Sequence, residues 1–485
     1  RRVRAALEAL RDAEQRLALD IPQALVARDA YPSLPAGAQI SLGTIIQLSD
    51  QQLTPQASTA LRALALFPPK PNTFDEGAAV AALAADVAVI DELTDHGLIE
   101  YIGDERYTMH QSIHDYASRD ALVTSAAVQL ATYYQTLIAD NSEDYTRLAA
   151  EFVNVRATLD ALFESLDRLP PGFSLHPKLA KQFATRRAMF REDGLVDWSL
   201  AESLGFASLL AEGHAVRLSG QDSRRGTFSQ RHAALVDYDT GEEYLPLRAV
   251  AEEGGTHLWI YDSLLSEYAV LGFEYGYSTV ADDTLVLWEA QFGDFMNGAQ
   301  IIIDQFITTA EDKWSQTSGL VLLLPHGFEG QGPEHSSGRI ERFLILAADD
   351  NMSVCVPTTA AQYFHLLRRQ MAATPRSPLV VFTPKSGLRT SSWRSPVESL
   401  TTGSFAEVLD DPLVGDDRAG QIRRVVLASG KIAQEALTER EARGGVAQHP
   451  VAVVRVEQLY PWPNEDVAAV LARYPSAHEL VWLQE

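Results

Sequence analysis

Residues 320–342 read LVLLLPHGFEGQGPEHSSGRIER, and this stretch decides how the second half of the chain is interpreted. An uninterrupted apolar run that ends at Pro325 is typical of a buried strand. Four glycines, two histidines and two glutamates follow, before a helix-like segment that begins near Arg339. Glycine lets the backbone approach a ligand closely, and histidine exchanges protons near neutral pH. The stretch therefore predicts ionisable groups at the C-terminal end of a strand, where open α/β sheets usually bind ligands.

The composition narrows the class of protein. A length of 485 residues predicts two to four domains, and the formal net charge of -25 argues against a nucleic-acid groove, because no basic surplus is available to neutralise phosphates. No apolar run approaches the roughly 18 residues that a membrane span needs. Cys355 is the only cysteine, which excludes an internal disulfide and a cysteine–zinc cluster and favours a reducing, cytoplasmic setting.

The first third of the chain reads as mostly helical, beginning with residues 1–19. Residues 61–67 form an apolar helical segment that stops at two prolines, and residues 86–96 have helical spacing with Gly97 placed as a C-cap. Residues 98–101 and 106–109 then predict the two arms of a short hairpin. Helices followed by a hairpin are the order of a winged-helix module.

This third resembles the region that follows the ATPase core in signal-transduction NTPases of the NB-ARC kind. The resemblance covers roughly residues 41–166 and is carried by LTDHGLI (93–99) and RYTMHQSIHDYA (106–117). The family's Met-His-Asp reads Met109-His110-Gln111 here, and no Gly-x-x-x-x-Gly-Lys-Ser/Thr phosphate loop exists in the sequence. We therefore expect no ATP hydrolysis from this region, and His110 is interpreted as a structural residue at the start of a helix.

The pattern changes after Pro170-Pro171-Gly172, where strand-like runs begin to alternate with helical stretches. That alternation predicts βα units and parallel sheets. The predicted strands lie at 321–324, 353–356, 379–383, 424–427, 451–456 and 480–483. The predicted organisation is a helical and winged-helix segment (1–168), a linker (169–199), an α/β domain (200–394) and a smaller α/β domain (395–485).

From about residue 172 onward the chain resembles the second half of the thiamine-dependent decarboxylating subunit of 2-oxoglutarate dehydrogenase. The motifs occur in order; they include LSGQDSRRGTFSQRH (218–232), DSLLSEY (262–268), GFEYGY (272–277), LWEAQFGDF (287–295), the opening stretch, TPKS (383–386) and EQLYP (457–461). The resemblance implies an α/β fold with a transketolase-like, pyrimidine-binding domain and a C-terminal α/β domain. It also implies oxidative decarboxylation of 2-oxoglutarate in the tricarboxylic acid cycle, with thiamine diphosphate and Mg2+ as cofactors.

The resemblance assigns roles to residues of this chain. Glu274 is predicted to be the carboxylate that hydrogen-bonds a nitrogen of the cofactor's aminopyrimidine, and its aromatic neighbours predict an apolar pocket. Phe292, and Phe295 after it, are predicted to stack on that ring. His335 is predicted to bind substrate or transfer protons, with His326 as the second choice. Gln221 and Asp222 are predicted to shape the cofactor pocket.

The ligands for Mg2+ and the diphosphate, a Gly-Asp followed by an Asn about thirty residues on, are not found in the sequence, so no residue is predicted as a metal ligand. The resemblance further implies a homodimer with a site shared between subunits, and a lipoyl-bearing succinyltransferase as partner. We expect the chain alone to be inactive. Two alternatives stay open. In the first, the chain is a fusion whose NB-ARC-like arm binds a partner while the thiamine-enzyme half is inert. In the second, the chain belongs to an enzyme that acts on another 2-oxo acid.

Overall fold

The computed structural model describes residues 41–120, 123–140, 145–374 and 376–485. The helix predicted at residues 1–19 lies outside these ranges. The chain divides into two compact units, Arg1–Ser165 and Leu166–Glu485. No helix of the described residues is both long and apolar enough to cross a membrane.

The first unit consists of helices around a small antiparallel sheet. Its elements are α1 (Leu42–Asp50), α2 (Pro55–Leu64), β1 (Phe74–Asp75), α3 (Glu76–Leu83), α4 (Val87–Asp95), β2 (Glu100–Gly103), β3 (Arg106–Thr108), α5 (Gln111–Ala117), α6 (Val123–Asp140) and α7 (Tyr145–Asp167), the last of which crosses the boundary between the units. The sheet has the order β1-β3-β2 with antiparallel pairs. The predicted helix at 86–96 and the hairpin after it are confirmed.

Three local predictions concern residues of this unit. Gly97 has a φ of +66°, the left-handed conformation that favours glycine after a helix. His110 caps α5, and its Nδ1 accepts a hydrogen bond from Ser112 N at 3.2 Å. The apolar segment 61–67 begins inside α2, which ends at Leu64 and not at the prolines.

The second unit contains two main sheets built mostly from parallel strands, together with two small antiparallel pairs of strands. Its strands are β4 (Leu195–Val196), β5 (Ala215–Gly220), β6 (Leu235–Val236), β7 (Glu243–Tyr244), β8 (Leu258–Asp262), β9 (Thr284–Glu289), β10 (Val321–Pro325), β11 (Ser353–Cys355), β12 (Leu379–Thr383), β13 (Ser395–Pro396), β14 (Val408–Leu409), β15 (Arg424–Ala428), β16 (Val451–Val456), β17 (Gln458–Tyr460) and β18 (Glu479–Leu483). All six strands predicted from the sequence are present, with ends shifted by no more than one residue.

The helices of this unit connect and cover those strands. They are α8 (Pro177–Arg191), α9 (Trp198–Ala211), α10 (Pro246–Glu253), α11 (Glu267–Ser278), α12 (Gln300–Ile302), α13 (Ala310–Trp314), α14 (Ile340–Leu346), α15 (Ala360–Ala372), α16 (Glu398–Thr401), α17 (Asp416–Ala419), α18 (Lys431–Ala442), α19 (Gly445–Gln448) and α20 (Asn464–Ala472). The predicted linker at 169–199 therefore contains a helix, α8.

The larger sheet has seven strands in the order β17-β11-β12-β10-β9-β5-β8. Its pairs are parallel except that of β17 with β11. All five residues of β10 are buried, because a central parallel strand is covered on both faces. The smaller sheet has the order β14-β16-β15-β18, and β15 is parallel to both of its neighbours. The predicted α/β architecture with parallel sheets is confirmed.

The two sheets are joined by one residue. Glu457 is the single residue between β16, in the smaller sheet, and β17, which completes the edge of the larger one. The strand β17 belongs by sequence to the C-terminal segment 395–485, yet it pairs with β11 of the preceding segment. The two segments therefore share a sheet and are not separated by a linker.

Candidate active site

The loops that carry the predicted site residues meet at one edge of the larger sheet. Five neighbouring parallel strands, β8, β5, β9, β10 and β12, run in the same direction, so their C-terminal ends lie together. Gly220 stands opposite Glu289 and Asp262, and Pro325 stands opposite Thr383. The segments that follow these positions form the candidate site.

His335 and the two phenylalanines predicted to bind the cofactor are brought together. The ring centroids of His335 and Phe292 are 4.4 Å apart, and those of His335 and Phe295 are 5.4 Å apart. His335 Nδ1 lies 2.9 Å from Glu334 Oε1. Phe228, which the sequence did not single out, adds a third aromatic ring at 5.6 Å from Phe292. The edge thus presents an imidazole beside a group of half-buried aromatic rings.

His326 has a different position in the same loop. Its Nδ1 accepts a hydrogen bond from Gly338 N at 2.9 Å, which ties the two ends of the loop together. Burial lowers the pKa of His326, with Glu485 opposing the shift, and Glu485 Oε2 is 3.8 Å from Nε2. The bonding of Nδ1 as an acceptor gives this ring a structural role, and the imidazole that faces Phe292 is His335.

Glu274 is buried, but its carboxylate is not free. Arg217 donates to both of its oxygens, from Nε at 2.6 Å and from Nη2 at 2.9 Å. Glu274 is also seven residues into α11, which places it about 10 Å along the helix axis from the end that lies at the site edge. The expectation that Glu274 meets a cofactor ring is therefore not supported by the geometry, since its hydrogen-bonding capacity is used by the guanidinium.

Glu267 is the carboxylate that does lie at this edge. It is the first residue of α11, directly after the loop that follows β8, and Oε1 accepts a hydrogen bond from Gln221 Nε2 at 2.8 Å. A narrow cleft there is lined by Glu267, Gln221, Ala290 and Gln291, and the last of these precedes Phe292. The sequence signal was present, since an acid at the start of a helix in a βα unit lies at the edge where such sheets bind ligands.

Gln221 and Asp222, both predicted to shape the cofactor pocket, have different positions in the structure. Gln221 faces the cleft through its bond to Glu267. Asp222 has a φ of +58° and pairs with Arg225, so its carboxylate closes the turn after β5. Of the two, Gln221 contributes a side chain to the cleft, and Asp222 shapes the backbone that carries it.

Two glycines permit the loops after β9 and β10 to touch. A Cβ on Gly293 would lie 2.8 Å from Gly338 Cα and 2.8 Å from Pro325 O. A Cβ on Gly338 would lie 2.8 Å from the ring of Phe382. These separations exclude any side chain at either position without movement of the backbone or the core, so the glycines set the approach of the Phe292 loop to the His335 loop.

A buried ion cluster lies directly beneath the site. Arg231 pairs with Glu202 and with Glu289, the last residue of β9, at distances of 2.5 and 2.6 Å, and Tyr363 donates to Glu202 at 2.8 Å. Burial would lower the pKa of Arg231, but the two carboxylates outweigh it and hold that pKa well above its usual value. The cluster fixes the end of β9, from which the chain continues into Phe292.

The carboxylate of Asp294, two residues after Phe292, is also paired with an arginine. Asp294 accepts a hydrogen bond from Arg339 Nε at 2.5 Å. In the described parts of the chain, no group of three or more His, Cys, Asp and Glu side chains is arranged to hold a metal ion. The structure therefore supplies aromatic, imidazole and carboxylate groups at this edge.

Two protein families match the second part of the chain. Residues 195–391 match the model of the transketolase pyrimidine binding domain. The matched range includes Gln221, Glu267, Phe292 and His335, and it has the α/β fold expected from the sequence. Residues 394–485 match the 2-oxoglutarate dehydrogenase C-terminal family.

The curated relatives are named as enzymes that act in 2-oxoglutarate metabolism. The chain is 50% identical over 332 residues to the 2-oxoglutarate dehydrogenase E1 component of Cupriavidus necator, covering 67% of this chain and 34% of that protein. It is 47% identical over 344 residues to the E1 component of Coxiella burnetii, covering 71% of this chain and 36% of the relative. It is 49% identical over 325 residues to the multifunctional 2-oxoglutarate metabolism enzyme of Mycobacterium sp. strain KMS, covering 65% and 25%. The chain spans about a third of the length of the E1 relatives.

Proposed function

We propose that this chain supplies the pyrimidine-binding half of the active site of a thiamine-diphosphate-dependent 2-oxoglutarate dehydrogenase. The two family matches and the relatives' names support the enzyme class. The proposal depends on one observation, the contact between His335 and Phe292. Their ring centroids are 4.4 Å apart at the edge of the sheet where such folds bind ligands. The class of enzyme decarboxylates a 2-oxo acid and passes the acyl group to a lipoyl carrier.

In this proposal Glu267, and not Glu274, is the carboxylate that meets the aminopyrimidine. Glu267 lies in the cleft with a single hydrogen bond from Gln221, whereas Glu274 is held by Arg217. The rings of Phe292 and Phe295 fit an aromatic heterocycle, because aromatic rings stack or meet edge to face at such separations. Bound thiamine diphosphate would supply a carbanion that attacks a carbonyl and then accepts electrons.

His335 is proposed to bind the carboxylate of 2-oxoglutarate and to hold or release a proton at a ring nitrogen. Imidazole suits both tasks near neutral pH, and the ring lies beside the aromatic cluster. His326 is proposed to hold the loop, as its bond from Gly338 suggests.

The diphosphate and Mg2+ are proposed to be held by residues outside this pyrimidine-binding half. Mg2+ requires hard oxygen ligands, and no cluster of them is found in the described residues. Leu264 and Leu265, next to Glu267, are 78% and 85% exposed, which supports a second domain or subunit that covers this edge. A homodimer, a lipoyl-bearing succinyltransferase partner and a cytoplasmic location remain part of the proposal.

The test is pyrimidine binding by the full chain. Thiamine diphosphate at millimolar concentration would be added, and saturation transfer to its pyrimidine protons would be measured by NMR. We expect transfer in the unsubstituted chain and a strong loss in Glu267→Gln. Glu311→Gln, which removes an exposed acid far from the cleft, is the matched control.

Glu274→Gln decides between the two carboxylates. If Glu267 is the partner of the pyrimidine, this variant binds once its folding is confirmed, although its stability is reduced. Loss of transfer in folded Glu274→Gln together with retention in Glu267→Gln would restore the assignment made from the sequence.

We propose a second function for the first unit, as a protein-interaction module of the NB-ARC-associated, winged-helix kind. Its order of helices and hairpin supports this, and so do Tyr101 and Ile102, which are 55% and 52% exposed on the edge strand β2. Tyr101→Ser with Ile102→Ser should abolish partner capture without altering pyrimidine binding. Equal capture by the double variant would count against it.

A further inference from the structure

Lys385 is a buried cation that the proposed reaction does not use. It follows β12 and Pro384 at the site edge, and only 4% of the residue is exposed. Lysine is seldom buried to this extent unless its ammonium is paired. Its burial beside the His335 loop therefore calls for a role.

The ammonium of Lys385 joins the two ends of that loop. Nζ donates to the carbonyl oxygen of Gly327 at 2.5 Å and to that of His335 at 2.7 Å. Gly327 N in turn donates to Ser336 O at 3.0 Å, so the same pair of loop ends is closed twice. Charge-assisted hydrogen bonds are shorter and stronger than neutral ones, and an ammonium can donate to both carbonyls at once.

The loop depends on such contacts to fix its course, because its backbone is rich in glycine. Gly327, Gly330 and Gly332 have φ values of +142°, +75° and +104°, conformations that other residues rarely adopt, and the glycines leave the free loop many alternatives. Glu329 provides a separate tie, because it accepts hydrogen bonds from Ser386 N at 3.0 Å and Ser386 Oγ at 2.7 Å. Glu329 lies on the far side of the glycines from His335, so it does not hold the histidine.

We propose that Lys385 is the positioning residue for His335, which it holds against Phe292 by binding the backbone carbonyls at both ends of the loop. Nζ is 5.9 Å from the centroid of Phe292, so one side chain contacts the backbone of the histidine and faces the ring that the histidine touches. The inference rests on the proposed function only in treating His335 as a site residue. The contacts exist whether or not a cofactor binds.

The experiment compares Lys385→Met with the unsubstituted full chain. Met keeps the length and the apolar stem but removes all three donors. Hydrogen exchange would be followed at the amides of Gly327 and His335, which are bonded to Ser336 O and Gly332 O. Because two hydrogen bonds are lost, we expect exchange in residues 326–338 to rise by about tenfold or more, while strands β10 and β12 stay protected.

A second measurement, the NMR chemical shift of the His335 ring protons, reports the position of that ring. The ring protons of His335 should show a shift caused by the nearby ring of Phe292, and this shift should collapse in Lys385→Met. His449, which is exposed and distant in sequence, serves as the internal reference. Lys313→Met removes an exposed lysine that hydrogen-bonds to Gln305 and lies over the ring of Trp314, and it should change neither readout.

Unchanged exchange and an unchanged His335 shift in Lys385→Met would overturn the proposal. If that variant does not fold, the unsubstituted chain decides the question by amine acylation. Lys385 should react at least about tenfold more slowly than exposed Lys178, because its nitrogen is enclosed. Equal rates would overturn the proposal. Failure of the chain to bind thiamine diphosphate would sink the proposed function and leave these results intact.

Discussion

The guanidinium of Arg217 holds both carboxylate oxygens of Glu274, at 2.6 Å from Nε and 2.9 Å from Nη2. The pair fastens α11 to β5. The Arg217 Cζ also lies 4.6 Å from the centroid of Tyr277 and 5.2 Å from those of Tyr261 and Phe273. The aromatic residues around Glu274, which in the sequence suggested a cofactor pocket, form the surroundings of an ion pair.

Glu274→Gln should therefore act on stability. Removing one partner of a buried pair leaves the other charge uncompensated, which costs about 3 kcal/mol or more of unfolding free energy. Denaturant unfolding would measure the loss. Glu267→Gln keeps an oxygen that can accept the hydrogen bond of Gln221 and lies at a more exposed site, so it should cost about 1 kcal/mol or less. Equal losses in the two variants would contradict this account of the pair.

Phe292→Leu should weaken pyrimidine binding without unfolding the domain. An aromatic pair contributes about 1 kcal/mol beyond its buried area, which corresponds to roughly a fivefold loss of affinity. Titration of thiamine diphosphate by NMR would report it. Phe306→Leu, a change in the ring that packs on Tyr275 at 5.7 Å, is the control and should bind normally. A similar loss in both variants would show that Phe292 has no special place in the site.

Because of Glu457, stability should fall as the pH rises from 4.5 to about 7. Burial raises the pKa of Glu457 to about 7, against the opposing influence of Arg455 and Thr358. Between pH 4.5 and 7 the folded carboxyl keeps a proton that the unfolded chain releases, so this stabilisation is full below the unfolded pKa and is lost as the pH approaches 7. The shift corresponds to on the order of 3 kcal/mol.

Glu457→Gln should flatten that part of the pH profile. The variant should be more stable than the unsubstituted chain at pH values above the folded pKa, as measured by thermal unfolding across the range. Glu465→Gln removes an exposed acid of the same domain and should leave the slope unchanged. A parallel decline in all three proteins would show that Glu457 does not titrate as described.

Gly293→Ala should disturb the site edge. The added Cβ would meet Gly338 Cα and Pro325 O at 2.8 Å, and overpacking of this kind typically costs about 1–3 kcal/mol. Gly276→Ala is the matched control, because nothing lies within 4 Å of a Cβ there and the residue is inside α11. Alanine at 276 should stabilise the helix by about 0.5–1 kcal/mol. Thermal unfolding of both variants tests the contrast.

The chain alone should not turn over 2-oxoglutarate. Thiamine diphosphate, Mg2+ and a chemical electron acceptor would be supplied, and release of carbon dioxide would be followed. The described residues provide no cluster to hold the metal, so the cofactor is not expected to be fixed for catalysis. Turnover that depends on Glu267 would refute this expectation while supporting the assignment of the carboxylate.

The α/β class of the fold, and the edge of the larger sheet that carries the candidate site, could be predicted from sequence patterns alone. Apolar runs such as 321–324 specify buried parallel strands because burial on both faces requires them to be apolar along their whole length. His335, Phe292 and Gln221 were assigned through the family resemblance that their motifs carry, and His335 also lies in the loop that follows the apolar run 321–324. The predicted order of helices and hairpin in the first third depended on equally local signals, namely helical spacing and a glycine at the C-cap.

The different surroundings of the two glutamates became visible only in the folded chain. Both Glu267 and Glu274 lie near aromatic residues in the same helical segment, and local pattern does not reveal that Arg217, 57 residues earlier, reaches Glu274. The same limit applies to Lys385, whose partners are carbonyls 50 and 58 residues away, and to β17, which crosses into the larger sheet. Such contacts depend on how the helices and strands pack. Side chains that are remote in sequence come within hydrogen-bonding distance only after the chain has folded.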